Sequence, residues 1–411
     1  MNKHSALRAL VVTALVGVLA SGCSLFNDGP KWGAKRDAER KAAAAAAMAT
    51  VPEPAPTHRF EITPTTDVVG VVQKTLATKE DTLTDIARRF NVGYEEIVRA
   101  NPGVDAWLPG ENREIVIPSQ FILPNAPREG IVINAAAMRL FYYPKAKKGE
   151  PQLVHTYPIG IGKVGWKTPE GSTTVVRRTK DPTWRPTPSI LKEHLEERGE
   201  KLDKVIGPGP DNPLGRFAFY LGWPSYMIHG TNKPAGVGLR SSHGCIRLYP
   251  EDIATLFEMT PVDTKVTVVN QPVLFGLKDG VLNIQAFDVL EDDPRDWKKA
   301  QAKLLNKALA DRVQKELAAR GDKIDWEGVS QLLHDPRGVP VPVAGGEASL
   351  LKIVSDAKVV QNKVAPGATW DGISDLPVDE ATFQELVSDR ESSVESAAAA
   401  AVPTTPAPKP N

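Results

Sequence analysis

The sequence is nearly without cysteine, with only Cys23 and Cys245 in 411 residues. At most one disulfide can therefore form within the chain. An excess of either charge is also lacking, because 50 basic side chains balance 50 acidic ones. This balance argues against a nucleic-acid partner, since phosphate binding needs a basic excess or patch.

A long apolar run is missing as well. The mostly apolar stretch near the N-terminus covers residues 9–20, which is too short to cross a bilayer as a helix. Lys3 and Arg8 precede this stretch, and the small residues Ser21 and Gly22 follow it. This layout predicts a secretory signal over residues 1–22.

The small residues that end at Cys23 resemble the processing site of bacterial lipoproteins. The leucine usual three places before the cysteine is Ala20 here, with Leu19 one place earlier. The resemblance implies that Cys23 is lipidated and becomes the mature N-terminus. We then expect a periplasmic protein anchored to a membrane by lipid, with the outer membrane favoured. The alternative is an ordinary signal peptide with a chance cysteine.

Residues 23–71 contain an alanine-rich charged segment followed by a proline-rich one. Neither has an apolar face large enough for a core, so we expect a flexible tether.

A strand–helix–helix–strand unit is predicted over residues 72–119. Apolar residues recur at helical spacing after Asp81-Thr82, a second short helical pattern ends at Asn101-Pro102, and a strand closes at Pro118. The segments "EDTLTDIARRF", "IVRANP" and "IVIP" resemble the LysM module. That resemblance implies binding of N-acetylglucosamine-containing glycan strands, as in peptidoglycan or chitin. A small α+β adaptor without a ligand is the alternative.

A larger, mainly β domain is predicted over residues 128–270, as a sandwich or barrel with a few helices. Its segments "IVINAAAMRLFYYP", "FAFYL" and "KVTVVN" are rich in β-branched and aromatic residues. One helix is expected at residues 250–258, where a proline and two acidic residues favour a helix start.

The C-terminal extension, residues 271–344, has Leu305, Leu309, Val313 and Leu317 four residues apart, which indicates an amphipathic helix. Residues 345–411 are predicted to be mostly disordered. The predicted fold class is thus a mainly β domain with a small α+β unit and a helical C-terminal extension.

The stretch "SSHGCIRL" places Cys245 beside His243 and Arg247, and "YMIHG" supplies His229. A thiol at neutral pH is only slightly ionised, so a nucleophilic cysteine needs a base or a positive neighbourhood. If Cys245 lies on a strand, alternation sends its side chain to the same face as those of His243 and Arg247. A buried structural cysteine is the alternative. The spacing matches no known zinc motif, so no metal or cofactor is predicted.

A His-Gly-Thr, a loop of about ten residues and a Ser-His-Gly-Cys resemble the YkuD-type L,D-transpeptidase family. The matching residues are His229, Gly230, Thr231, Ser242, His243, Gly244, Cys245 and Arg247. The family often has asparagine at the last position, and arginine also occurs.

This resemblance implies that Cys245 is the nucleophile and that His229 is its base, oriented by a backbone carbonyl such as that of Gly230. Amides around His243, Gly244 and Cys245 become candidates for an oxyanion hole.

Ser242, Thr231 and Arg247 are expected to bind substrate, with Arg247 holding a carboxylate. Two alternatives stay open: His243 as a structural hydrogen-bonding residue and Arg247 paired with an acid of the protein. A loop with Trp184, Pro186 and Pro188 is expected beside the cleft, whereas His155 and His194 lie outside the motif.

The implied donor is a peptidoglycan tetrapeptide stem, and the acceptor is an amine. That amine is either a lysine of a Braun-type lipoprotein, slightly favoured, or a diamino acid of another stem. The alternatives are a LysM anchor protein without catalysis and a hydrolytic L,D-carboxypeptidase of the same fold.

Overall fold

In the computed structural model, the chain is described at residues 51–296, 311–344 and 349–363 and at positions 305, 308, 309, 384 and 388. It divides into two compact units, Met1–Pro52 and Glu53–Asn411, and the second is described below. The predicted signal and the lipid site at Cys23 lie outside the described residues.

A nine-stranded sheet forms the centre of the second unit. In spatial order its strands are β1 (Arg59–Ile62), β8 (Gln152–Pro158), β7 (Arg139–Tyr143), β6 (Gly130–Asn134), β15 (Lys265–Val269), β10 (Gly171–Lys180), β11 (Phe217–Leu221), β12 (Met227–His229) and β14 (Ile246–Arg247). The long strand β10 pairs with β15 through its first half and with β11 through its second. A register shift between Val175 and Arg177 marks the change of partner, so the sheet turns there. The predicted mainly β class is confirmed.

One apolar core lies between this sheet and the helix α4 (Pro250–Met259). Strands β6 and β7 read "GIVIN" and "RLFYY", and almost every residue in them is buried. On α4, Ile253, Leu256 and Phe257 face the same core. Burying one such side chain stabilises the fold by about 1.5–3 kcal/mol. The helix predicted at residues 250–258 is present and continues to Met259.

The LysM-like unit has the predicted order of two strands around two helices. Its elements are β3 (Gln73–Leu76), α1 (Leu83–Arg89), α2 (Tyr94–Ala100) and β4 (Glu114–Ile117). Thr82 and Asp85 form a capping box that begins α1. The apolar positions of both helices and β4 make a separate core, which includes Leu83, Ile97 and Ile115.

Parts of the predicted tether and of the predicted tail form regular secondary structure. Residues 59–62 of the tether form β1, which pairs with β8, and β2 (Val68–Gly70) pairs with β5 (Gln120–Ile122). In the tail, α7 (Leu350–Asp356) is followed by β19 (Lys358–Val360), which adds a parallel third strand to β3. Composition did not predict these strands, because their backbone hydrogen bonds are made to strands that are distant in the sequence.

The C-terminal extension builds a three-stranded sheet from β16 (Val273–Lys278), β17 (Val281–Ala286) and β18 (Val341–Ala344). Two helices, α5 (Asp311–Arg320) and α6 (Trp326–His334), pack on this sheet. The predicted stripe of Leu305, Leu309, Val313 and Leu317 is buried in that core, and the described helix begins at Asp311.

The LysM-like unit is docked on the central domain through charged and backbone contacts. Arg139 of β7 makes two hydrogen bonds of 2.7 Å to the buried carboxylate of Glu96. Arg88 makes two hydrogen bonds of 3.0 Å to the carboxylate of Glu251 at the start of α4. Paired donors and acceptors of this kind fix orientation as well as proximity.

Candidate active site

Cys245 lies in a tight turn between β13 (Arg240–Ser242) and β14, and not on a strand as the alternation argument assumed. The turn needs glycine at Gly244, whose φ is +99° and whose Cβ would stand 2.7 Å from the Tyr226 ring. Ser242 Oγ accepts a hydrogen bond from the Gly244 amide at 3.1 Å and donates one to the Cys245 carbonyl at 2.6 Å. Ser242 therefore holds the turn together from within.

His229 ends β12, the strand next to β14. The two strands are parallel, with His229 opposite Arg247 and Ile228 opposite Ile246. Cys245, one residue before Ile246, thus lies near Met227, and its Sγ donates to the Ser225 carbonyl at 3.6 Å. The fold brings together the motif's two halves in this way.

The ring of His229 has a defined orientation. The side chain is 4% exposed, and Nδ1 lies 2.6 Å from the Gly230 carbonyl oxygen. Since a carbonyl only accepts, Nδ1 carries the proton and Nε2 keeps its lone pair. The imidazole is thereby set as a base at Nε2.

Burial favours the uncharged forms of both groups. Desolvation, and then the nearby Arg247 guanidinium, lowers the pKa of His229 to about 3, against the opposing hydrogen bond to Gly230. Desolvation raises the pKa of Cys245 to about 11, although the backbone of Met227 and the charge of Arg247 act in the other direction. At neutral pH the pair is therefore a thiol and a neutral imidazole.

Arg247 has no acidic partner among the described residues. Its Nη1 donates to Ser241 Oγ at 3.2 Å, and its buried Nε has no acceptor in the described part of the chain. Desolvation lowers the pKa of Arg247, and the adjacent Cys245 opposes that effect. The expectation of pairing with a protein acid finds no support, and the guanidinium remains able to bind an anion.

His243 is oriented by a different set of residues. Its Nε2 lies 3.1 Å from Glu193 Oε2, and the Trp166 ring meets it edge-on with centroids 4.8 Å apart. Lys163 also contacts Glu193. Sequence reasoning missed these three neighbours. The pairing of β9 (Ile161–Gly162) with β13, which brings in Lys163 and Trp166, is non-local, and Glu193 comes from a separate surface helix.

Two further expectations concern loops. Thr231 is buried, and its hydroxyl accepts from the Lys233 amide at 2.9 Å, so it shapes the loop after His229. Pro188 does not belong to a loop but starts the helix α3 (Pro188–Arg198), capped by Thr187. No group of three potential metal ligands occurs among the described residues.

Two family models match the chain: the L,D-transpeptidase catalytic domain at residues 128–268 and the LysM domain at residues 78–106. The probable L,D-transpeptidase ErfK/SrfK of Salmonella typhimurium is 38% identical over 270 residues, covering 65% of this chain and 84% of the relative. The chain belongs to the L,D-transpeptidase family.

The probable L,D-transpeptidase YbiS of Escherichia coli is 50% identical over 190 residues, or 46% of this chain and 60% of that protein. Among solved structures, an L,D-transpeptidase from Mycobacterium smegmatis is 18% identical, with a TM-score of 0.27, covering 52% of this chain and 99% of the other. The matched L,D-transpeptidase catalytic domain, residues 128–268, contains Cys245, His229 and Arg247, and the protein is an enzyme of this class. Within the part of the chain described, no helix has the length and apolar character needed to span a bilayer.

Proposed function

We propose that the protein transfers the acyl group of a peptidoglycan tetrapeptide stem to an amine through a thioester on Cys245. The observation that carries this proposal is the oriented imidazole of His229 on the strand beside the nucleophile's turn. The matched LysM and L,D-transpeptidase domains both suit a peptidoglycan substrate.

In the first step, Cys245 Sγ attacks the carbonyl carbon of the stem's third residue while His229 Nε2 takes the thiol proton. Proton removal must accompany the attack, because the resting thiol is un-ionised. The carbonyl oxygen becomes negative in the tetrahedral intermediate and needs donors. Since the Gly244 amide already donates to Ser242, we assign this role to the amides of His243 and Cys245.

Collapse of the intermediate breaks the peptide bond. The proton on His229 passes to the departing amine, free D-Ala leaves, and the thioester remains. An acceptor amine then attacks the thioester carbonyl and gives a proton to His229, and Cys245 is released as the thiol. Arg247 binds a carboxylate of the stem, a role supported by its lack of an acidic partner among the described residues.

The acceptor is proposed to be a lysine of a Braun-type lipoprotein, with the diamino acid of a second stem as the other candidate. The LysM unit is proposed to hold glycan strands. Lipid on Cys23 is proposed to keep the enzyme in the periplasm, on the outer membrane. If Cys23→Ala leaves the protein in the membrane fraction, the lipid anchor is wrong.

Incubation with purified tetrapeptide muropeptides and each acceptor, followed by mass spectrometry, tests the reaction. We expect a new amide product together with free D-Ala, and no reaction with Cys245→Ala. Tripeptide without an amide product would instead show the hydrolytic enzyme. Turnover by Cys245→Ala would refute the thioester mechanism.

A further inference from the structure

The helix α3 contributes no buried side chain to any core. Two of its side chains reach the active-site side: Glu193, which is 20% exposed and contacts Lys163 and His243, and Glu197, whose Oε1 lies 3.8 Å from Lys163 Nζ. Ile190, Leu191 and His194 are half-buried, and Leu195 is exposed. A helix held in this way can move away at little cost in apolar burial.

The two partners of Glu193 are held in place without the helix. The Lys163 amide donates to the Ser242 carbonyl at 2.9 Å, next to the parallel pairing of β9 with β13. His243 is braced by the edge-on ring of Trp166. The backbone of Lys163 and the ring of His243 are thus held by the active-site region, and the carboxylate of Glu193 reaches their side chains from α3.

The two donors approach different oxygens of one carboxylate. Lys163 Nζ contacts Oε1, while His243 Nε2 lies 3.1 Å from Oε2. Because a carboxylate only accepts, Nε2 carries a proton. The bond to Lys163 is the main cause that lowers the pKa of Glu193, and the contacts with His243 act in the same direction.

This position adjoins the nucleophile. His243 is two residues before Cys245, and the turn that carries Lys163 and Trp166 packs on Gly244, whose carbonyl accepts from Thr168 Oγ1 at 3.0 Å. An anion placed between Lys163 and His243 therefore lies beside the residue that attacks.

We propose that Lys163 and His243 form a binding site for a carboxylate of the stem peptide, and that Glu193 of α3 occupies this site as an internal substitute. This inference rests on the proposed stem-peptide substrate. Entry of a donor exchanges one carboxylate for another and releases α3 from the active-site rim. Glu193, tethered beside the site, competes at a high effective concentration and weakens donor binding.

The test measures tetrapeptide binding by calorimetry in the Cys245→Ala background, where no turnover occurs. Replacing Glu193 with Gln removes the competing charge, and we expect the Kd to fall by about tenfold, the size of one charge-assisted hydrogen bond. The matched control is Glu196→Gln on the same helix, which contacts Lys192 at 3.7 Å and should leave the Kd unchanged.

A second variant identifies which carboxylate binds. Lys163→Met should raise the Kd about tenfold for the free tetrapeptide. The same measurement uses two further donors, one amidated at its terminal D-Ala and one amidated at the side chain of its third residue. The effect of Lys163→Met on the Kd should vanish for one of them, and the carboxylate missing from that donor is the one that binds. Circular dichroism checks that each variant is folded.

An unchanged or raised Kd for Glu193→Gln would overturn the proposal, as would an equal effect of Lys163→Met on all donors. Absence of measurable tetrapeptide binding would overturn it too. Failure of the proposed function is a separate result: the enzyme with Cys245 intact would release no D-Ala, whatever the binding data show.

Discussion

Burial moves both Cys245 and His229 toward their uncharged forms, and the charge of Arg247 acts on each of them. A thiolate–imidazolium ion pair at rest would need a raised histidine pKa and a lowered cysteine pKa, the reverse of the directions found here. The substrate must therefore supply part of the driving force for proton transfer, through the developing oxyanion and its donors.

The pH dependence of thiol alkylation follows from this arrangement. Well below a pKa of about 11, each pH unit multiplies the thiolate fraction by about ten. We therefore expect the rate of iodoacetamide modification of Cys245 to rise about tenfold per unit from about pH 6 to about pH 9. Mass spectrometry of the free enzyme measures this rate, with Cys245→Ala as the control. A plateau within that range would indicate a resting ion pair instead.

At the scale of elements, the loop between His229 and Cys245 is held by the LysM unit. The amides of Tyr94 and Glu95 donate to the carbonyls of Val237 and Gly238, each at 3.2 Å. A Cβ on Gly238 would overlap the Tyr94 backbone, and Gly238 has a φ of +83°. The start of α2 thus supports the loop that leads into β13 and the nucleophile's turn.

Gly238→Ala should lower kcat even for a soluble donor peptide that carries no glycan. Misplacing the nucleophile's turn by about 1 Å costs on the order of a hundredfold in rate. D-Ala release measures the effect. Trp107→Ala, on a LysM loop position that is 60% exposed, serves as the control and should leave kcat for this donor unchanged. Equal rates for Gly238→Ala and the unaltered enzyme would show that the loop does not depend on α2.

Patterns within one segment were read correctly from the sequence. Helical spacing predicted the buried stripe of Leu305, Leu309, Val313 and Leu317. The family resemblance linked His229 with Cys245, and the strand that ends at His229 lies beside the strand that follows Cys245. The contacts of Glu193 were not predicted, because they depend on where the surface helix α3 packs. The apolar pattern of α3 gives no indication of that position. The strand β19 was not predicted for a related reason, since its partner β3 is nearly three hundred residues earlier in the chain.

At the scale of the whole molecule, residues 358–362 close the chain back onto its LysM unit. Thr75 Oγ1 donates to the Val360 carbonyl at 3.0 Å, and Asn362 Nδ2 donates to Leu76 O at 2.9 Å and Asp81 Oδ2 at 2.8 Å. The third strand also covers one edge of β3.

Removing residues 345–411 should lower the free energy of unfolding by about 1–3 kcal/mol, since several buried hydrogen bonds are lost. Denaturant unfolding measures this difference. Truncation after residue 363 keeps every one of these contacts and should leave stability unchanged. Equal stability of the two truncated proteins would mean that β19 contributes nothing to the fold.

The paired ion contacts between the LysM unit and the central domain affect which sites on a bound glycan strand the active site could reach. A module on a flexible linker lets its partner reach any site within the linker's length, whereas a fixed joint permits only the sites that match its geometry. With Arg139 locked to Glu96 and Arg88 to Glu251, a glycan held by the LysM unit has a set direction relative to Cys245. Under the proposed function, the enzyme would then act only on stems that project from the glycan strand at one angle.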